Sequence, residues 1–285
     1  SLLRHLYTET RRALRRGLGN PLVREDVIAA TKKAAAHLLE FRGFLDDELS
    51  DIWGARGNDY FLRERPEDIA WHTEALADFE NHGQPLILIK HSSESLIANA
   101  TQIFVHARDI PNVFSRVCSA LELLDLSIND ARIYSGIDGA TLDTFFVLKA
   151  DGTPVDNSPE TINMIEDAIL RSLMSPSVTT AQQRIARSLR SFLSPTEITF
   201  LEDHGRNLTI MEISSPDRPG LLACIGQILS ERDIVIQAAK IQTLGERVED
   251  VFFLTTSEGL RLGDDQLCDA LQADLCRALD KDNAA

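Results

Sequence analysis

The residues best placed to do chemistry are Asp217-Arg218-Pro219-Gly220-Leu221, set between a run that predicts a strand and an apolar run that predicts a helix. Proline at a helix start presets φ and gives up an N–H that needs no partner there. Glycine lets a ligand or a neighbouring backbone approach closely. The free N–H groups of a helix N-terminus favour a carboxylate, and Asp217 can cap those amides or accept from an ammonium group. Donors for one end of a zwitterion and an acceptor for the other suit a free amino acid. Taken alone, D-x-P-G before a helix is more often a plain cap.

The pattern occurs twice. Asp109-Ile110-Pro111-Asn112 precedes Asp217-Arg218-Pro219-Gly220 by 108 residues, and Ile128-Asn129-Asp130-Ala131-Arg132-Ile133 precedes Ile236-Gln237-Ala238-Ala239-Lys240-Ile241 by the same offset. Asp143-Thr144-Phe145-Phe146 and Asp250-Val251-Phe252-Phe253 are 107 apart, so one loop differs by a single residue. A period of that length is a small domain rather than a solenoid unit, which predicts tandem modules of one fold. The first copy departs at Asn112 and Ile110, where the second has Gly220 and Arg218. Asn112 tolerates unusual backbone angles but fills space that glycine leaves open. Asn129 and Asp130 offer polar groups where the second copy has Gln237 and Ala238.

The elements that must hold these loops follow from periodicity. Residues 1–84 read as helical. Leu3, Leu6, Tyr7, Thr10 and Leu14 recur at helical spacing, and a helix from about Arg24 to Phe41 has Val27, Ala30, Ala34 and Leu38 on one stripe. Further helices start near Asp46 and after Pro66. From Pro85 short apolar and alternating runs take over. Each copy reads strand, strand, helix, strand, strand, helix. The predicted domains are therefore a helical segment over 1–84, a module over 85–175, a linker over 176–195 and a second module over 196–285. The class is α+β: a helical N-terminal segment followed by two ferredoxin-like modules, circularly permuted to ββαββα. In each, Leu86–Ile89 or Glu197–Leu201 supplies the strand that the usual βαββαβ order has last. Pairing of that strand with the neighbouring module stays open.

Composition narrows the classes. A formal charge of −15 argues against a nucleic-acid backbone as partner. Arg11, Arg12, Arg15 and Arg16 then read as a solvated helix face. Cys118, Cys224, Cys268 and Cys276 form no C-x-x-C pair and no metal-ligand spacing with histidine, so a reducing cytoplasm is the expected setting. No run is long and apolar enough to predict a membrane span. Ser1 opens directly into an amphipathic run, as expected of a piece of a longer protein.

With both loops, the I-x-x-A-x-I strands and the D-x-F-F strands in one register, the two modules resemble the ACT domain, a small-molecule-sensing fold of amino-acid metabolism. The resemblance extends through Leu14-Arg15-Arg16-Gly17, Asn58-Asp59-Tyr60-Phe61, Ala70-Trp71-His72 and Thr243-Leu244-Gly245-Glu246-Arg247-Val248 to the C-terminal part of the bifunctional uridylyltransferase/uridylyl-removing enzymes. It implies a glutamine-sensing regulatory region whose parent enzyme attaches UMP to, and removes it from, the PII nitrogen-signalling protein. It further implies Mg or Mn in catalytic domains elsewhere, with no cofactor or metal in this part. Ligand sites in such pairs lie at the seam between modules, one loop facing the other module's strand. The oligomeric state stays open, a homo-oligomer included.

Neither catalytic signature of that family occurs here. None of the seven histidines precedes an aspartate, and the one D-x-D, Asp280-Lys281-Asp282, reads as a solvated terminus. A stand-alone amino-acid-binding ACT-repeat protein is the alternative within the fold. A hydrolase built on His5, His37 and His72 is the alternative from another class, without metal-ligand spacing to support it. His72 reads as helix packing, His106 as facing solvent or a module interface, and Phe145-Phe146 and Phe252-Phe253 as core.

Overall fold

A computed structural model describes residues 21–79, 84–91, 100–108, 110–134, 139–175, 195–203, 205, 207–244 and 247–280. The helix read in residues 1–20 and most of the linker read at 176–195 lie outside the described residues. Two compact units divide near residue 80.

The first unit is helical: α1 (Pro21–Glu40), α2 (Asp46–Gly54), α3 (Asn58–Arg63) and α4 (Pro66–Ala77). Acidic Asp46, Asp47 and Glu48 occupy the first turn of α2, where the helix dipole favours them, and Glu48 accepts from the N–H of Leu45 at 2.9 Å. Pro66 opens α4. The inward stripe of α1 is Ile28, Ala35 and Leu39, while Val27 is exposed. The expected stripe of Val27, Ala30, Ala34 and Leu38 was thus displaced by one residue, because the alanine-rich stretch 29–36 carries little amphipathic contrast and packing chooses the face. The short helix α3 escaped periodicity reading. It supplies buried Tyr60 and Phe61, and the Tyr60 hydroxyl lies 2.9 Å from His72 Nδ1. His72 is indeed a buried packing residue of α4.

The second unit carries β1 (Leu86–His91), β2 (Thr101–Arg108), α5 (Val113–Glu122), β3 (Leu126–Arg132), β4 (Ala140–Lys149) and α6 (Pro159–Met174). There follow β5 (Glu197–Asp203), β6 (Leu208–Pro216), α7 (Leu221–Ser230), β7 (Ile234–Lys240), β8 (Thr243–Leu244), β9 (Arg247–Thr256) and α8 (Asp265–Asp280). The strand order is β1-β2-β4-β3-β7-β9-β6-β5, with β8 on β9. Each leading strand pairs with the next strand of its own module, Leu86 opposite His106 and Glu197 opposite Ser214. That order is the ferredoxin-like sheet with its last strand moved to the front.

The modules share one sheet. β3 and β7 pair antiparallel, with Ala131 opposite Ala239, and these two residues are equivalent in the repeat. On the helical layer the Ser115 hydroxyl donates to the carbonyl of Ala223 at 2.7 Å, again between positions 108 apart. An approximate two-fold axis therefore runs through both layers. Alternate strand residues (Ile103 and Val105, Phe145 and Val147, Met211 and Ile213, Phe252 and Leu254) form one core with the inner faces of α5 to α8. His106, expected at solvent or an interface, is buried with Nδ1 2.9 Å from the carbonyl of Thr141. Asp280 ends α8 and accepts from the Thr196 hydroxyl at 2.8 Å, so it is an anchored residue and not a solvated tail.

Candidate functional site

Both loops end in the same unusual conformation. Asn112 (φ 59°, ψ 34°) and Gly220 (φ 81°, ψ 0°) precede α5 and α7 with left-handed backbone. Glycine adopts it freely and asparagine is among the residues that tolerate it. The sequence supplies residue types that accept this conformation at both positions, and the structure shows that both adopt it. What the two helix starts meet is different.

Against α7 lies a cleft of about 110 Å³. The first module contributes Cys118 and Glu122 of α5, and Leu126, Ser127 and Ile128 of β3. The second contributes Asp217 and Arg218 of the loop, Leu221 and Leu222 of α7, Ile241, and Val248 and Asp250 of β9. The loop of one module thus faces the helix end and strand start of the other. The N–H of Gly220 donates to the Glu122 carboxylate across the seam, and Arg218 donates to the carbonyl of Ala278 at 3.3 Å.

At the equivalent place in the other seam, the Ser230 hydroxyl donates to Asn112 Oδ1. Ser230 is the repeat equivalent of Glu122, and Asn112 of Gly220. A charged contact to backbone on one side therefore corresponds to a neutral side-chain contact on the other.

Of the residues singled out from sequence, Asp217, Arg218 and Leu221 line the cleft and Gly220 bonds to a residue of its wall. Pro219 is exposed in the loop. Asn129 and Gln237 are the extra residues of matching bulges, between Ile128 and Asp130 and between Ile236 and Ala238. The Gln237 amide donates to the Thr255 hydroxyl at 3.0 Å. The bulge turns Asp130 to the sheet face opposite the helices, where its Oδ2 is 3.9 Å from Arg132 Nε and Arg132 lies over Phe146. None of Asn129, Asp130, Gln237 and Asn112 borders the cleft; Asp109 lies outside the described residues.

Sequence reasoning missed Glu122, Cys118, Ser127 and Asp250. Asp250 had left a signal: an aspartate repeated with Asp143 inside a strand whose neighbours are core. Both are buried, and Asp250 accepts from the N–H of Gln242 at 3.1 Å. Glu122 left none, since a glutamate ending an amphipathic helix is ordinary.

The cleft is rich in carboxylates that are costly to ionise. Burial raises Asp250 to about 7 against the relief given by the Gln242 N–H, and Asp217 adds to the rise. Asp217 is exposed along one side, yet desolvation against the cleft lifts its carboxyl, partly offset by the backbone N–H of Arg218. Glu122 is raised by burial first, relieved by Gly220 and raised again by Asp217. Burial, then Glu122, Asp143 and Asp250, push the Cys118 thiol well above its usual range, which makes it a packing residue and no nucleophile. Among the described residues no group of three or more His, Cys, Asp or Glu side chains is arranged to hold a metal ion. No described helix is long and apolar enough to cross a membrane.

A permuted ferredoxin-like pair with a cleft at the start of a loop-capped helix is the ACT architecture, and residues 209–272 match the ACT domain family model. Residues 23–75 match the model described as the uridylyltransferase GlnD fifth domain. Over 99% of its length the chain is 45% identical to the bifunctional uridylyltransferase/uridylyl-removing enzyme of Stutzerimonas stutzeri. It is 44% identical, over 98%, to that of Pseudomonas putida strain GB-1, and 44% identical, over 99%, to that of Pseudomonas aeruginosa strain LESB58. The chain spans about a third of the length of these relatives, 32% of the first. Over nearly its whole length the chain is homologous to a part of the bifunctional uridylyltransferase/uridylyl-removing enzymes.

Proposed function

We propose that this chain is the C-terminal regulatory region of an enzyme that uridylylates and deuridylylates the PII signalling protein in the cytoplasm, and that its cleft senses glutamine. The observation that carries the ligand is the meeting, in one cleft, of a helix N-terminus with the buried carboxylate of Asp250 and the carboxylates of Asp217 and Glu122. The N-terminus of α7 suits an α-carboxylate. Asp217 and Asp250 suit an α-ammonium, which would also relieve the cost of ionising Asp250. Ser127 and Arg218 complete the wall with a hydroxyl and donors for a side-chain amide. Glutamate would bring one more carboxylate against three acidic residues, which disfavours it relative to glutamine.

Catalysis falls to parts of the enzyme beyond this region, with Mg²⁺ or Mn²⁺ supplied there. Binding would act by linkage: a ligand that prefers one arrangement of the sensing region shifts the whole enzyme toward it by no more than its differential affinity. In the direction implied by the family, glutamine favours uridylyl removal over transfer. Calorimetric titration of the chain with a panel of amino acids tests the ligand. Saturable heat with glutamine, and far less with glutamate, is the expected result; no heat with glutamine overturns the reading.

A further inference from the structure

Glu122 is held where it is expensive to hold a carboxylate. It ends α5, whose last-turn carbonyls repel an anion. Its surroundings are desolvated and Asp217 faces it, both of which push its carboxyl upward. Among the described residues, the N–H that α7 presents at Gly220 stands against these. That donor belongs to the group of amides an incoming carboxylate would also use.

A second, independent feature points to a ligand in the same cleft. Asp250 lines it, is 1% exposed, and its Oδ2 has no hydrogen-bond partner among the described residues. A buried acceptor of this kind needs a donor, and a cationic one satisfies it best. The opposite seam shows what the contact looks like without the strain: Ser230 and Asn112 bond to each other, neutral to neutral.

We propose that Glu122 is a tethered stand-in for the ligand's carboxylate. An amino acid entering the cleft takes the Gly220 N–H from Glu122 and gives its ammonium to Asp250. One carboxylate replaces another at the amide, and the displaced Glu122 is rehydrated. The end of α5 in the first module thereby reports occupation of the loop in the second. The nature of the ligand rests on the amino-acid reading above; the exchange at Gly220 does not.

The 285-residue chain and its Glu122→Gln and Glu122→Ser variants would be titrated with glutamine by calorimetry; the serine variant copies the residue at the equivalent position, Ser230. Removing a competitor tightens binding, by about tenfold if a charged acceptor gives way to a neutral one. Unchanged or weaker binding in both folded variants overturns the proposal, since Glu122 would then be a bystander or a direct ligand contact. If glutamine binds neither wild type nor variants, the amino-acid reading falls. The exchange is then read with acetate, following the ¹⁵N–¹H resonance of Gly220. A saturable shift in Glu122→Gln at concentrations that leave wild type unmoved supports the stand-in, and equal responses overturn it.

Discussion

Replacing Asp250 by asparagine should reveal how much stability the cleft forgoes to keep its carboxylate. The carboxyl of Asp250 is raised from 3.8 to about 7, with burial as the leading cause. A carboxyl raised on folding binds its proton more tightly in the native state. Its contribution to stability is therefore full below the unfolded value near 4, and is lost as pH rises through 7. A rise of roughly three units at about 1.4 kcal/mol each puts that loss near 4 kcal/mol by pH 8.5, as an order of magnitude. Asparagine keeps Oδ1 for the Gln242 N–H, 3.1 Å away, and removes the ionisation. It also places an amide donor where Oδ2 lacks a partner, at a cost of about 1–3 kcal/mol that does not depend on pH. The decisive quantity is therefore the change in the difference between variant and wild type across pH, read from urea unfolding between pH 4 and pH 8.5. The variant should gain on wild type by several kcal/mol over that range, mostly between pH 4 and pH 7. A difference that stays flat would show that Asp250 ionises without penalty, and the electrostatic account of the cleft would fail with it.

Gly220→Val should remove most glutamine binding while the chain stays folded by circular dichroism, because valine at φ 81° costs roughly 1–2 kcal/mol and occupies ligand space. Asn112→Val should harm binding less; the reverse ranking in calorimetry would move the principal site to the first module's loop. Glutamine at a hundredfold excess over Kd should stabilise the chain by about 2.7 kcal/mol and glutamate by far less. Equal thermal shifts would mean that only the amino-acid head is read. Gly226→Ala should lower the thermal midpoint by overpacking the module seam, at about 1–3 kcal/mol, since a Cβ there would lie 2.8 Å from Phe114 Cδ1 and 3.2 Å from Ser115 Cβ. An unchanged midpoint would show that the two helices separate easily.

The repeat by itself determined much of the molecule. Because the Asp-Pro loop, the I-x-x-A-x-I strand and the D-x-F-F strand recur in one register, two modules of one fold were legible, and so was the permuted strand order. Local patterns suffice for this: alternation marks strands, apolar stripes mark helices, and proline with glycine or asparagine marks the turn into a helix. That residues 112 and 220 both take left-handed backbone was found only in the structure, although asparagine and glycine are types that accept it. Only the tertiary structure decided that the modules join into one sheet through Ala131 and Ala239, and that residues of both modules line a cleft beside Gly220. It brings Glu122 to Gly220 and Ser230 to Asn112, across 98 and 118 residues of chain. No periodicity encodes a contact of that span. Likewise the bulges beside Asn129 and Gln237, which lie away from the cleft, come from strand pairing with β4 and β9 and not from the residues' polarity. A helix-ending glutamate is ordinary in sequence; it gains a role only when another module's helix presents an N–H to it.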